Sequence, residues 1–244
     1  MDSNSRISLQ QIYGPIQSRR LGESLGINLM PATVKICSFD CVYCECGLND
    51  YRIGQMPKQE DIRLELKKKL ETLVLENKHI DGITFSGNGE PTMHPDFESI
   101  VNSVCELRNT YFPQAKVNVL SNACAIDKLD VYRALCKADN AILKFDSAIE
   151  STMRIIDRPT RASLTIKWIL KHLVEKYQEK IIIQTMFVRG RYNESLFDNT
   201  TDEEITAWIA ALKKIKPKQV MIYSLDRKAP IDDIESIPID ELQA

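Results

Sequence analysis

Four of the seven cysteines in the chain fall within ten residues: Cys37, Cys41, Cys44 and Cys46. The run Cys37-Ser-Phe-Asp-Cys41-Val-Tyr-Cys44 has the spacing C-x3-C-x2-C. Thiolates are soft ligands that select zinc or iron–sulfur clusters. Three of them on one extended loop can reach three irons of a cubane and leave the fourth iron open. An open metal position serves chemistry, whereas a structural site closes its coordination. Two other uses compete. A zinc ribbon needs a second C-x2-C, which the chain lacks, and Cys46 lies one residue past Cys44, tight for a tetrahedral fourth ligand. A ferredoxin-type cluster expects a further cysteine downstream, and Cys105, Cys124 and Cys136 lack its usual neighbours. Spacing favours the open cluster without excluding the others. An odd cysteine count argues against a disulfide framework, and the three scattered cysteines read as small buried hydrophobes. His79, His94 and His172 do not stand at metal-ligand spacing.

A second chemical feature follows the strand-like segment 80–85 (Ile80, Ile83, Phe85), which ends in Ser86-Gly87-Asn88-Gly89-Glu90-Pro91. Glycines let a backbone approach a ligand closely, and a carboxylate can receive an ammonium group.

The elements that must position these residues alternate along the chain. Strands are expected at 80–85, 116–120, 141–145, 180–187 and 219–223, with a first one between Ile27 and Ile36. The continuous apolar runs among them suit strands buried on both faces. Helical stripes fill the gaps: Ile62, Leu66, Leu70, Leu73 and Val74, then Phe97, Ile100, Val101, Val104 and Leu107 behind Pro95. Leu129, Tyr132 and Leu135 follow Asp127 as an N-cap, and Ile169, Leu170, Leu173 and Tyr177 come next. Thr201 and Glu204 form a capping box before Ile205 and Trp208. About six β-α units with right-handed crossovers force a parallel sheet, either open and doubly wound or an incomplete barrel. In both, the site lies at the carboxyl ends of the strands.

The bulk properties set limits. The net charge of −2 gives no support for a dedicated nucleic-acid binder. No apolar run approaches a membrane span, and Met1–Gln10 lacks the apolar core of a signal peptide, so the cytoplasm is the default location. One domain over 1–244 is expected, with an N-terminal extension 1–26. The tail 229–244 carries Asp232, Asp233, Glu235, Asp240 and Glu241 and no base, which reads as a solvated acidic end.

Tyr43, immediately before the last cysteine of the motif, makes the pattern C-x3-C-x-aromatic-C, which resembles the signature of the radical S-adenosylmethionine (SAM) superfamily. Gly87-Asn88-Gly89-Glu90-Pro91 resembles that family's glycine-glycine-glutamate-proline motif, with Asn88 as an insertion. Gly14–Gly26, Phe85–Pro95 and Leu225–Pro230 are similar to a small subgroup related to the tRNA wybutosine-synthesis enzyme. The resemblance implies an α/β fold, a partial (β/α)6 barrel. It implies a [4Fe–4S] cluster on Cys37, Cys41 and Cys44, with SAM beside it. Tyr43 would meet the adenine, while Gly87, Gly89 and Glu90 would hold the methionyl group, Glu90 facing its ammonium. Ser121, Asn122, Lys144 and Asp146 would contribute further SAM contacts, although Ser, Asn and Asp also serve turns. Gln184 and Met186 would approach the adenine or pack within their strand.

The implied reaction is reduction of SAM, by a donor such as flavodoxin or ferredoxin, to a 5′-deoxyadenosyl radical that takes hydrogen from a small-molecule or nucleoside-type substrate. Alternatives are an activase that makes a glycyl radical on a partner protein and a non-catalytic iron–sulfur electron carrier. Arg158, Arg189, Arg191 and Arg227, with Asn193 and Tyr223, are expected to bind a carboxylate or phosphate of the substrate. The competing use of these arginines, and of Arg154 and Arg161, is surface pairing with nearby acids.

Overall fold

A computed structural model describes residues 10–49 and 54–243. Contacts group them into two units. One comprises 10–37, 54–121 and 125–141, and the other 38–49, 122–124 and 142–243.

In the first unit, β1 (Ile12–Ser18) pairs antiparallel with β2 (Gly22–Ile27). Helix α1 (Gln59–Leu75) leads to β3 (Gly82–Phe85), and α2 (Phe97–Tyr111) leads to β4 (Lys116–Ser121). Strands β2, β3 and β4 run parallel and neighbour one another in that order. Helix α3 (Leu129–Lys137) follows. All four residues of β3 are buried, as expected for a parallel strand covered on both faces. The α1 stripe buries Ile62, Leu66, Leu70 and Leu73, but Val74 is half exposed. The α2 stripe is buried throughout, and Phe97 meets Phe85 of β3 edge-to-face with centroids 6.0 Å apart. The N-cap position of α3 is Lys128, not Asp127. The expected first strand lies earlier than Ile27–Ile36, at Gly22–Ile27. The edge strand β1 contains Gly14 and Pro15, residues that do not signal a strand.

In the second unit, β5 (Asn140–Lys144, its first two residues grouped with the first unit) precedes the short α4 (Glu150–Ile156) and α5 (Ile166–Lys176). Then come β6 (Ile181–Met186), β7 (Val188–Tyr192), β8 (Ser195–Asp198), α6 (Asp202–Ile215) and β9 (Gln219–Tyr223). The order is β5-β6-β9, with β6 and β9 parallel. A separate antiparallel sheet has the order β10-β7-β8, where β10 is Ile234–Ser236; α7 (Ile239–Gln243) follows it. Residues 229–243 therefore carry a strand and a helix, and Ala229 and Ile237 are buried. At the start of α6, Thr201 Oγ1 accepts from the Glu204 N–H at 3.4 Å, but the Glu204 carboxylate is buried and accepts from Ser147 at 2.7 Å. The capping box is thus half made, its acid turned inward. Among the described residues no helix is long and apolar enough to cross a membrane.

Candidate functional site

In the first unit the chain approaching Cys37 is held by two buried asparagines. Asn28 Oδ1 accepts from the backbone N–H groups of Met30 and Asn88, both at 3.1 Å. The Asn88 side chain donates to the carbonyls of Pro31 at 3.0 Å and Ala32 at 2.9 Å. The Ile36 N–H donates to Asn88 O, and Glu90 N–H donates back to Ile36 O, each at 3.0 Å. The inserted Asn88 is therefore a clasp on the segment before the cysteines. Gly87 and Gly89 have φ of 153° and 147°. A Cβ at Gly89 would overlap the Ile36 carbonyl, and one at Gly87 would overlap the Asn28 side chain. Within this unit, close backbone approach requires both glycines.

Glu90 caps the 3-10 turn Pro91–Met93 and is 2% exposed. Its Oε1 accepts from Thr92 N–H at 3.0 Å, Thr92 Oγ1 at 2.6 Å and Ser121 Oγ at 2.8 Å. Ser121, expected near SAM, thus orients the carboxylate expected to meet SAM. Asn122, in the second unit, donates to Ser38 Oγ at 3.0 Å and accepts from Cys124 N–H at 3.0 Å.

In the second unit the cysteine loop is strapped along residues 156–160. Val42 N–H donates to Ile156 O at 2.9 Å, and Asp40 N–H to Asp157 O at 3.1 Å and Arg158 O at 3.2 Å. Thr160 returns two hydrogen bonds to Ser38 O, from its N–H at 2.8 Å and its hydroxyl at 3.0 Å. Two turns follow: Cys44 N–H donates to Cys41 O at 3.1 Å, and Gly47 N–H to Cys44 O at 2.9 Å. Cys37, Cys41, Cys44 and Cys46 form no disulfide and are of intermediate exposure. Among the described residues, no three Cys, His, Asp or Glu side chains already stand as a single-ion cage. Val42 and Tyr43 are buried with Ile156, Met186, Val188 and Phe197, and Cys41, Tyr192 and Tyr223 pack against this group. Met186 is core, as its alternative reading had it. Gln184 is buried in β6, its carbonyl accepting from Phe145 N–H at 3.0 Å.

The Tyr43 hydroxyl donates to Asp146 Oδ2, and Lys144 Nζ donates to both. Asp157 Oδ1 lies 2.6 Å from Lys144 Nζ, as an ion pair without aligned hydrogen-bond geometry. Burial opposes the charge on Lys144, but Asp146, Asp157 and the nearby Cys41 outweigh it and hold the ammonium well above its usual range. Burial pushes Asp157 up to about 7; Lys144 draws it down and Asp146 pushes it up.

The four expected substrate arginines are all paired with acids. Arg158 lies 3.4 Å from Asp40 and over the Tyr192 ring at 4.3 Å. Arg189 pairs with Glu241 and, at 3.8 Å, with Asp198; Arg191 pairs with Asp233 at 3.6 Å. Arg227 pairs with Glu45 at 2.8 Å. Arg158 and Arg227 thus meet acids of the cysteine loop, whereas Arg189 and Arg191 do not. Arg154 pairs with Glu150 at 2.8 Å, and Arg161 donates to Cys124 O at 2.6 Å. Asn193, with φ of 45°, and Glu194, with φ of 65°, form the β7–β8 turn, where positive φ favours Asn. Arg227 also lines a cavity of about 320 Å³ with Leu225, Lys228, Ile231 and Asp232. Sequence reasoning missed Asn28, Asp40, Asp157 and Asn199, which are single polar residues with no periodic pattern.

Parallel strands followed by helices, with a thiolate-bearing loop and a glycine-rich turn at a strand end, define an α/β protein built around a soft-ligand site. The family model of the radical SAM superfamily matches residues 32–202, and the chain belongs to that superfamily. Its members are enzymes that use a [4Fe–4S] cluster and SAM. The chain is 28% identical to a protein named GTPase Obg from Brachyspira hyodysenteriae, over 99% of this chain and 34% of that one. It is 31% identical to UPF0026 protein MJ1312 of Methanocaldococcus jannaschii, over 85% of this chain and 61% of that one. It therefore spans about a third of the first relative and under two thirds of the second. A radical SAM methyltransferase from Sphaerobacter thermophilus shares the fold, with a TM-score of 0.63, 9% identity and coverage of 90% of this chain and 61% of that one.

Proposed function

We propose that Cys37, Cys41 and Cys44 hold the cluster, that Glu90 receives the ammonium of SAM, and that the substrate is a small molecule or nucleoside carrying an anionic group. When bound, cluster and SAM together supply a carbon radical able to take hydrogen from an unactivated C–H bond. The observation that carries the reading is the loop itself. Its cysteines are outside any disulfide and partly exposed, and the backbone from Ser38 to Val42 is fixed by the strap at 156–160. The donor set is all soft thiolate, which suits iron–sulfur.

The remaining work falls to the chain. Ser121 and Thr92 aim the Glu90 carboxylate, and the Asn28–Asn88 clasp fixes the turn that carries it. The cavity beside Arg227 has the volume of a small-ligand site. Arg227 is exposed enough to exchange Glu45 for a substrate carboxylate or phosphate. These two features favour a small anion over a polypeptide. The electron enters from a reductant such as flavodoxin or ferredoxin.

Anaerobic reconstitution tests the ligand set. The wild-type chain and Cys46→Ala should bind about four irons each, and Cys37→Ala, Cys41→Ala and Cys44→Ala should bind none stably. Loss of iron in Cys46→Ala with retention in Cys37→Ala would refute the assignment.

A further inference from the structure

Lys144 ends β5 and Asp146 lies two residues beyond it, where the resemblance implies cofactor contacts, yet their polar atoms are turned onto the cysteine loop. The side chains of Lys144, Asp146 and Asp157 are 9%, 0% and 4% exposed. Burying one ammonium and two carboxylates costs several kcal/mol per ion before pairing, so the group persists through its contacts. Lys144 Nζ reaches the Tyr43 hydroxyl, Asp146 and Asp157, and lies 4.5 Å from the Tyr43 ring centroid. Asp146 is fixed from behind. Its Oδ1 accepts from Met186 N–H at 3.0 Å, and its carbonyl accepts from Asn199 Nδ2 at 2.8 Å. Asn199 is itself buried and accepts from Val188 N–H at 2.8 Å. Through its carbonyl, Asp157 also takes the N–H of Asp40. The loop is therefore tied to one ionic group at Asp40 and at Tyr43, the residues just before Cys41 and Cys44.

We propose that Lys144 is a positioning residue for the cysteine loop: its buried ammonium locks Tyr43 onto Asp146 and places a positive charge near Cys41, favouring the reduced cluster. The inference rests on the reading of this loop as the cluster loop. Adding an electron to a thiolate-bound cluster adds negative charge, which a nearby buried cation stabilises and a buried carboxylate opposes. Cys41 packs against the same buried group as Tyr43. Charges outside the ligand shell tune metal sites in this way.

The test is an anaerobic redox titration at pH 8, followed by EPR, on reconstituted wild type, Lys144→Arg, Lys144→Met, Asp157→Asn and Tyr43→Phe. Lys144→Met should lower the reduced-to-oxidised ratio at fixed potential about tenfold, which is about 59 mV for a one-electron couple. Asp157→Asn should shift the ratio the opposite way, and Lys144→Arg should restore the wild-type value. Tyr43→Phe keeps all three charges; it should hold the potential within a twofold change in ratio while losing iron faster on gel filtration. A merely structural role would not give opposite signs for Lys144→Met and Asp157→Asn. Asp157→Asn leaves Lys144 paired with Asp146, so if Lys144→Met does not fold, an Asp157→Asn potential at or below the wild-type value would still overturn the proposed charge effect. Shifts of the same sign, or a wild-type potential in every cluster-bearing variant, would overturn the role of Lys144. A wild-type chain that takes up no cluster would instead refute the reading of the loop.

Discussion

Asn88→Ala tests whether the residue inserted into the glycine-rich turn is a spacer or a clasp. The side chain is 6% exposed and gives hydrogen bonds to Pro31 O at 3.0 Å and Ala32 O at 2.9 Å. Each net hydrogen bond is worth about 0.5–1.5 kcal/mol, and a buried acceptor left without a partner costs about 1–3 kcal/mol. Pro31 is buried and Ala32 partly so, so one acceptor bears most of that penalty. The sum is about 2–4 kcal/mol, or a fall in Tm of about 4–15 °C for a chain of this length. Thermal and urea unfolding of the wild type and Asn88→Ala measure it. Asn88→Asp, which turns an acceptor toward two carbonyls, should be at least as destabilised. Iron bound after reconstitution reports the second consequence, because the segment released by the variant leads directly into Cys37. A stability change below about 0.5 kcal/mol, with wild-type iron retention, would show that the clasp does not hold the approach to the cluster.

Glu90→Ala should weaken SAM by about 1.5–3 kcal/mol, the range for a charged hydrogen bond, in equilibrium binding with the cluster intact. Unchanged affinity would mean that the ammonium is held elsewhere. Asp139 gives a pH dependence in the first unit. Burial raises its carboxyl, but the Val117 N–H at 2.8 Å and Arg108 at 2.6 Å outweigh this and hold it below the ordinary value of 3.8. The folded state then binds the proton less tightly than the unfolded one, so this stabilisation is present above about pH 4 and is lost as pH falls through the folded pKa. Asp139→Asn should flatten the acid limb of the urea midpoint against pH; an unaltered limb would remove Asp139 from the account.

The parallel strands were legible because burial on both faces writes a near-continuous apolar run, as in residues 141–145 and 180–187. The cysteine spacing and the glycine-rich turn were legible because their residues lie close together in sequence. The residues that hold them were not. Asn28 meets Asn88 across 60 positions, and Thr160 meets Ser38 across 122; one polar side chain leaves no period to read. Strands β7 and β8 carry no strand signal in the sequence, since Arg189, Gly190 and Arg191 obscure the alternation. Their turn depends on positive φ at Asn193 and Glu194, for which the sequence carries no Asn-Gly signal. Surface pairing of the arginines is one of the two uses the sequence offers, but their acids, Asp40, Glu45, Asp233 and Glu241, come from other segments and leave no local pattern that matches them.

The central claim is that this chain turns SAM into a carbon radical using the loop from Cys37 to Cys44. The reconstituted protein, reduced anaerobically with dithionite in the presence of SAM, should release 5′-deoxyadenosine and methionine in equal amounts. The same protein carrying Cys41→Ala should release neither. A cluster that is fully reduced, binds SAM and yet produces no 5′-deoxyadenosine would contradict the account and leave electron transfer as the function of the loop.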